Sequence, residues 1–190
     1  QKAGKILGNS FMLLTVSAIF LTAAGYLFCR PVLFMFGASE ASYVYAQQYL
    51  SIYLAGTLFS MLTTGLNGYI NAQGFPKIGM LTTVLGAVIN IVLDPIFIFT
   101  LNMGVAGAAI ATIISQMISA VWVVSFLFGK KSVVRLTKDC FKPSVKIIKS
   151  ILSLGSSNFI MQGTNCLVQV VCNSTLQRCG GDIYVGIMTV

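Results

Sequence analysis

The chain has 190 residues, 56% hydrophobic and 8% charged; 12 Lys and Arg stand against 4 Asp and Glu, for a net charge of +8, and His is absent. A soluble domain carries roughly 25% charged residues, so the composition excludes an ordinary water-soluble globule and points to a chain solvated by lipid. Without His the commonest general base and metal ligand is missing, and there is no Walker-type loop, Gly-rich dinucleotide turn or CxxC pair. The sequence therefore reads as no enzyme, with no cofactor beyond a coupling ion. The cysteines Cys29, Cys140, Cys166, Cys172 and Cys179 read as structural thiols.

Taken in chain order, five apolar segments are predicted as membrane-crossing helices: 9–28, 43–70, 78–99, 105–128 and 151–176. Each has about 20 residues or more, enough at about 1.5 Å per residue to cross a hydrocarbon core of about 30 Å. Barrel strands are shorter and alternate polar with apolar, which these segments do not. A sixth span is predicted to begin at Tyr184. The chain starts at Gln1 with no signal-peptide pattern, and we read it as an internal piece of a longer protein. The fold class expected is all-α, a polytopic transmembrane bundle.

The basic residues set the orientation. Between Lys130 and Lys149 lie seven of them, with Asp139 as the only acid. Placing this run in the cytoplasm also places Lys2, Lys5 and Lys77 there, since each span reverses the side. Ten of the twelve basic residues are then inside, leaving Arg30 and Arg178 outside. This is the bias expected of cytoplasmic loops, so the run is a topology signal and no nucleic-acid site. The segment also carries Pro143 and the amphipathic "KPSVKIIKSIL". It divides the chain into 1–129, a connection at 130–149, and 150–190.

The chemistry gathers on the third span. In "NIVLDPIFIF" Asp94 is the one acid in any predicted span, and Pro95 follows it. A carboxylate in hydrocarbon is costly and marks an ion path or a relay. At about 100° per residue, Gly79, Thr83, Gly86, Asn90 and Asp94 fall within about 80° of one another. Pro95 leaves the carbonyl of Ile91 without its helical partner. A carboxylate, an amide and a freed carbonyl then converge, as a hard cation or a proton relay requires. The bland alternative is a polar group satisfied between packed helices.

Two more spans carry polar stripes. Tyr49, Tyr53, Gly56, Ser60, Thr64 and Asn67 share a face of the second; Asn158, Gln162, Asn165, Gln169 and Asn173 share one of the fifth. Such faces cannot meet lipid, and three in one chain imply a shared aqueous cavity. On the fourth span Gly104, Ala108, Thr112, Ser115 and Ser119 form a small-residue seam for close helix contact.

"NAQGFPKIGML", "INIVLDPIFIF", "MGVAGAAIATIISQ" and the closing "LQRCGGDIYVGIMTV" resemble, in order and spacing, the multidrug and toxin compound extrusion (MATE) transporters. The resemblance covers nearly the whole chain. It implies family helices 3 to 6 of a twelve-helix, two-lobed protein over 1–129, the cytoplasmic connection at 130–149, then helix 7 and the start of helix 8. The missing partners would be helices 1–2 and 8–12 of the same protein, membrane lipid and a small-molecule substrate. The resemblance further implies ion or proton coupling at Asp94, Asn90 and Thr112, with Asn67 and Tyr49 in the same network; any Na+ would sit at Asp94, Asn90 and Thr112. Tyr53, Asn158, Gln162, Asn165 and Gln169 would face the substrate cavity. Asn71 and Phe75 depart from the family, which often has a basic and an acidic residue there. The activity implied is export of organic, cationic or amphipathic compounds in exchange for Na+ or H+, by alternating access, in a bacterial plasma membrane. A flippase for a lipid-linked precursor and a passive channel or scaffold are the competing readings.

Overall fold

The computed structural model describes residues 2–129, 132–134 and 143–189. Regular structure among them is helical throughout. Helix α1 (Lys2–Leu27) runs into the short α2 (Cys29–Met35), whose Pro31 sits in the first turn, where a missing N–H breaks no helical bond. Gly37 turns the chain with φ +94. Ser39 then caps α3 (Glu40–Ala55) through a reciprocal capping box with Ser42.

The segment predicted as one span at 43–70 is bent. Helix α3 meets α4 (Thr57–Ala72) at an angle of 57° across Gly56. A Cβ at Gly56 would lie 2.6 Å from Ile113 Cγ1, so the bend is where the later helix α6 presses against the chain. Helix α5 (Pro76–Pro95) begins with proline in its first turn and passes into a π-helical turn at Ile96–Thr100. Helix α6 (Gly104–Phe128) follows, and α7 runs over Val145–Thr189.

Among the described residues three helices are long and apolar enough to cross a membrane (Ala3–Leu27, Pro76–Thr100 and Gly104–Phe128), and the bent pair is apolar enough to do so if it is counted as one broken span. The predicted fifth span, 151–176, is helical within α7, but its amides lower its hydropathy and it does not meet that measure. The expected break before a sixth span at Tyr184 does not occur; α7 continues unbroken to Thr189. No proline lies within it to interrupt the hydrogen-bond ladder.

The buried core is small and lies toward one end. Leu7 of α1, Leu62, Leu66 and Ile70 of α4, and Val123 and Leu127 of α6 close on one another. Large apolar residues such as Phe20, Val84, Val88, Ile91 and Val121 are exposed, as befits a surface whose solvent is hydrocarbon. Lys5 and Lys77 lie at the end that holds the core. Gln73 Oε1, just past α4, accepts from Ser132 Oγ at 2.8 Å and from Val134 N at 2.9 Å. Asn9 donates to Lys5 O and accepts from Ser144 N at 2.9 Å. The chain before α7 is thereby tied to the start of α1 and the α4–α5 turn that carries Lys77. Lys130, Lys131, Arg135, Lys138, Asp139, Cys140 and Lys142 of the basic run lie outside the described residues.

From Ser144 at the basic end, α7 packs along α1. At the opposite end its buried Asn173 donates to Phe36 O at 3.3 Å.

Candidate functional site

Pro95 has no N–H to offer Ile91, so the helical ladder loosens there. The chain re-forms with wider turns over Ile96–Thr100, where Leu101 N donates five residues back to Ile96 O at 3.0 Å. Asp94 stands on the last regular turn before this change.

Asn90, one turn earlier, donates through Nδ2 to Asp94 Oδ1 at 3.1 Å and to Thr112 Oγ1 of α6 at 3.4 Å. Thr112 passes its own proton to Ala108 O at 2.9 Å, which leaves its oxygen free to accept from Asn90. The direction of every proton in this chain is thus set by the terminal carbonyl. Among the described residues the second carboxylate oxygen of Asp94 accepts no hydrogen bond, and no cationic side chain pairs with it. One neutral amide is a thin complement for a half-buried carboxylate. Its chemistry calls for a proton or a cation. Asn90, Asp94 and Thr112 together present hard oxygen atoms, the donor type that alkali and alkaline-earth ions take. No group of three His, Cys, Asp or Glu suited to a metal occurs among the described residues.

Close packing holds α6 in register with α5. A Cβ at Gly107 would lie 2.8 Å from the backbone carbonyl of Phe97 in the π turn, and one at Gly86 would lie 2.8 Å from Ser119 Oγ. The buried seam therefore runs Gly107, Ala111, Ser115 and Ser119. Gly104, expected in the seam, is exposed and instead turns the chain at φ +54. Thr112 lies beside the seam, half-buried, facing Asn90.

A cavity of about 660 Å³ opens between α4, α5 and α6, with Asn67, Asn90, Thr112 and Gln116 in its wall. Asn67 donates to Gly79 O at 3.2 Å and has no bond to Asn90, Asp94 or Thr112. Tyr53 and Tyr49 lie outside the wall. Tyr53 accepts from Gln116 Nε2 at 3.4 Å, and Tyr49 stacks on Tyr53 with ring centres 5.9 Å apart. Asn158, Gln162, Asn165 and Gln169 are exposed on α7, where Asn165 donates to Gln162 at 3.2 Å. Asn173, further along the same helix face, is buried and reaches Phe36 O, whereas the four amides of the row stay exposed.

Gln116 escaped the sequence reading. It joins three helices, bonding Tyr53 of α3 through its side chain and accepting from Thr63 of α4 at its backbone, 3.3 Å away. The signal was present: Gln116 follows Thr112 by four residues in an apolar helix, a spacing that shares a face.

The MatE family model matches residues 1–96. The multidrug export protein MepA of Staphylococcus saprophyticus is 25% identical over 158 residues, 83% of this chain and 33% of that protein. MepA of Staphylococcus aureus is 27% identical over 153 residues, 80% of this chain and 34% of that protein. Among solved structures, an inward-facing multidrug resistance MATE family transporter of the MOP superfamily superposes with a TM-score of 0.88 at 28% identity, over 98% of this chain and 48% of that one. The MATE multidrug transporter DinF-BH gives a TM-score of 0.92 at 31% identity, over 100% and 42%. The chain spans about a third of the length of the curated relatives it matches.

Proposed function

The chain belongs to the MatE family, and from that premise we propose that it forms part of a secondary active exporter of organic, cationic or amphipathic compounds, driven by Na+ or H+. Residues 1–129 belong to its N-terminal lobe, 130–149 form a cytoplasmic connection, and 150–190 begin the C-terminal lobe in a plasma membrane.

One observation carries the reading: Asp94 has a single neutral partner among the described residues, Asn90, which itself lines the cavity together with Thr112. The coupling ion or proton binds Asp94, with Asn90 and Thr112 as neutral ligands. Neutralising the carboxylate weakens its hold on the Asn90 amide, which also bonds α6, so ion binding is felt by both walls of the cavity. The π turn after Pro95 lets the end of α5 repack at low cost, because its ladder is already loosened. Asn67 and Tyr49 act at a distance from the ion, by holding α4 to α5 and by stacking on Tyr53. Tyr53, Asn158, Gln162, Asn165 and Gln169 belong to the substrate path between the lobes. The cavity wall contains no basic side chain, which argues against an anionic lipid-linked precursor.

The test is transport by the complete protein in sealed vesicles with the Na+ and proton gradients imposed one at a time. Export should follow one gradient and stop when that gradient is collapsed. Undiminished flux with both collapsed would instead describe a passive channel.

A further inference from the structure

Helix α7 stands clear of the chain along most of its length. From Leu152 to Gln169 every residue except Gly163 is exposed. The helix is held at both ends of that stretch. At the basic end Ser144 N, just before the helix, donates to Asn9 Oδ1 of α1 at 2.9 Å. At the other end Asn173 is 6% exposed, and its Nδ2 donates to Phe36 O at 3.3 Å. The two ties are 173 − 144 = 29 residues apart, about 44 Å of helix. That is the thickness of a bilayer with its headgroups.

The contact at Asn173 is fitted from both sides. Phe36 caps the C-terminal end of α2, where the last carbonyls have no helical partner, and Asn173 supplies a donor to one of them. Gly37 follows at φ +94, and a Cβ there would lie 3.3 Å from both Cβ and O of Asn173. A left-handed glycine is what lets the two backbones come this close. The bond is also weak enough to part and re-form, since one neutral hydrogen bond shifts an equilibrium by about fivefold. Geometry gives it a long lever. A swing of about 10° about Ser144 carries Asn173 roughly 7 Å, far beyond hydrogen-bond range, while Ser144 and Asn9 stay together.

We infer that Asn173, Phe36 and Gly37 form an outer latch between the two lobes. Closed, it seals the substrate path at the end away from the lysines; it must part for the path to open there. The inference deepens the exporter reading and rests on its assignment of 1–129 and 150–190 to different lobes. The conformation described is then the one closed on the outside, with the tie at Ser144 as its hinge.

The experiment uses the complete protein with its native cysteines replaced by alanine, in which Asn165→Cys on the exposed amide row reports the path. Labelling by an impermeant thiol reagent is measured on intact cells and on inverted membrane vesicles. Adding Asn173→Ala should raise labelling from outside about fivefold and lower it from the cytoplasmic side. Gly37→Ala pushes on the contact from the other side and should do the same. Opposed changes in either variant uphold the inference, because mere loosening of the helix would raise labelling from both sides. Any other pattern in both variants overturns it. In a second arm, an oxidised Gly37→Cys, Asn173→Cys pair should stop gradient-driven efflux, and reduction should restore it. Efflux that continues in fully cross-linked protein overturns the latch. If the wild type shows no gradient-driven efflux, the exporter reading fails, and the labelling arm still decides the latch.

Discussion

Asn90 ties the site together, because its one amide nitrogen serves both the carboxylate of Asp94 and the hydroxyl of Thr112. Replacing it removes a neutral ligand and the link between α5 and α6 while the charge stays. Asn90→Ala in the complete protein should therefore lower the apparent affinity for the coupling ion about tenfold, on the scale of one lost hydrogen bond to a charged group. The maximal export rate should fall less. Initial rates across a series of ion concentrations check this, and an unchanged half-saturating concentration would remove Asn90 from the ion site. The Asn90–Asp94 contact was legible in the sequence, since i and i+4 residues meet on a helix whatever the rest of the fold does. Contacts between helices were less so. Asn67 and Tyr49 fall on suitable faces, yet Asn67 bonds a backbone carbonyl and Tyr49 stacks on Tyr53, because a helical face gives direction but not depth.

Apolar length gave five full spans, of which three are single helices long and apolar enough to cross and one is the bent pair, while the bend at Gly56 could not be read from pattern. A glycine in a polar stripe looks the same whether it serves a kink or a close approach, and here it serves both. Proline was more informative: its missing N–H led to an expected disturbance after Asp94, and the structure gives it the form of a π turn. Helix α7 departs furthest from expectation, since amides spaced along one face lower hydropathy without breaking a helix. If that face lines a wet path in the complete protein, cysteines at Asn158, Gln162, Asn165 and Gln169 should react with small polar thiol reagents. Cysteines at Ile160 and Val171, on other faces, should be protected by lipid. Equal protection of both sets would make the row a dry helix interface.

For the whole molecule, hydrogen bonds at Asn9 and Gln73 bring Ser132, Val134 and Ser144 to the end that holds Lys5 and Lys77. That gathering supports the orientation drawn from charge, with the basic end in the cytoplasm. Ser132 is buried against Gln73, so a labelling test belongs at its exposed neighbour Val133. In a protein whose native cysteines are replaced by alanine, Val133→Cys should resist an impermeant thiol reagent added to intact cells, and Glu40→Cys should react. Labelling of Val133→Cys from outside would invert the topology.

Coupling at this site stands or falls on Asp94. Asp94→Asn preserves size and the capacity to bond Asn90, and the neutral amide is cheaper to hold in the membrane, so expression should stay at the wild-type level. The decisive measurement is ion-driven efflux by the complete protein carrying this substitution, under the gradient that drives the wild type. Efflux should fall to near background. Efflux at the wild-type rate would make Asp94 a structural group and contradict coupling at this site.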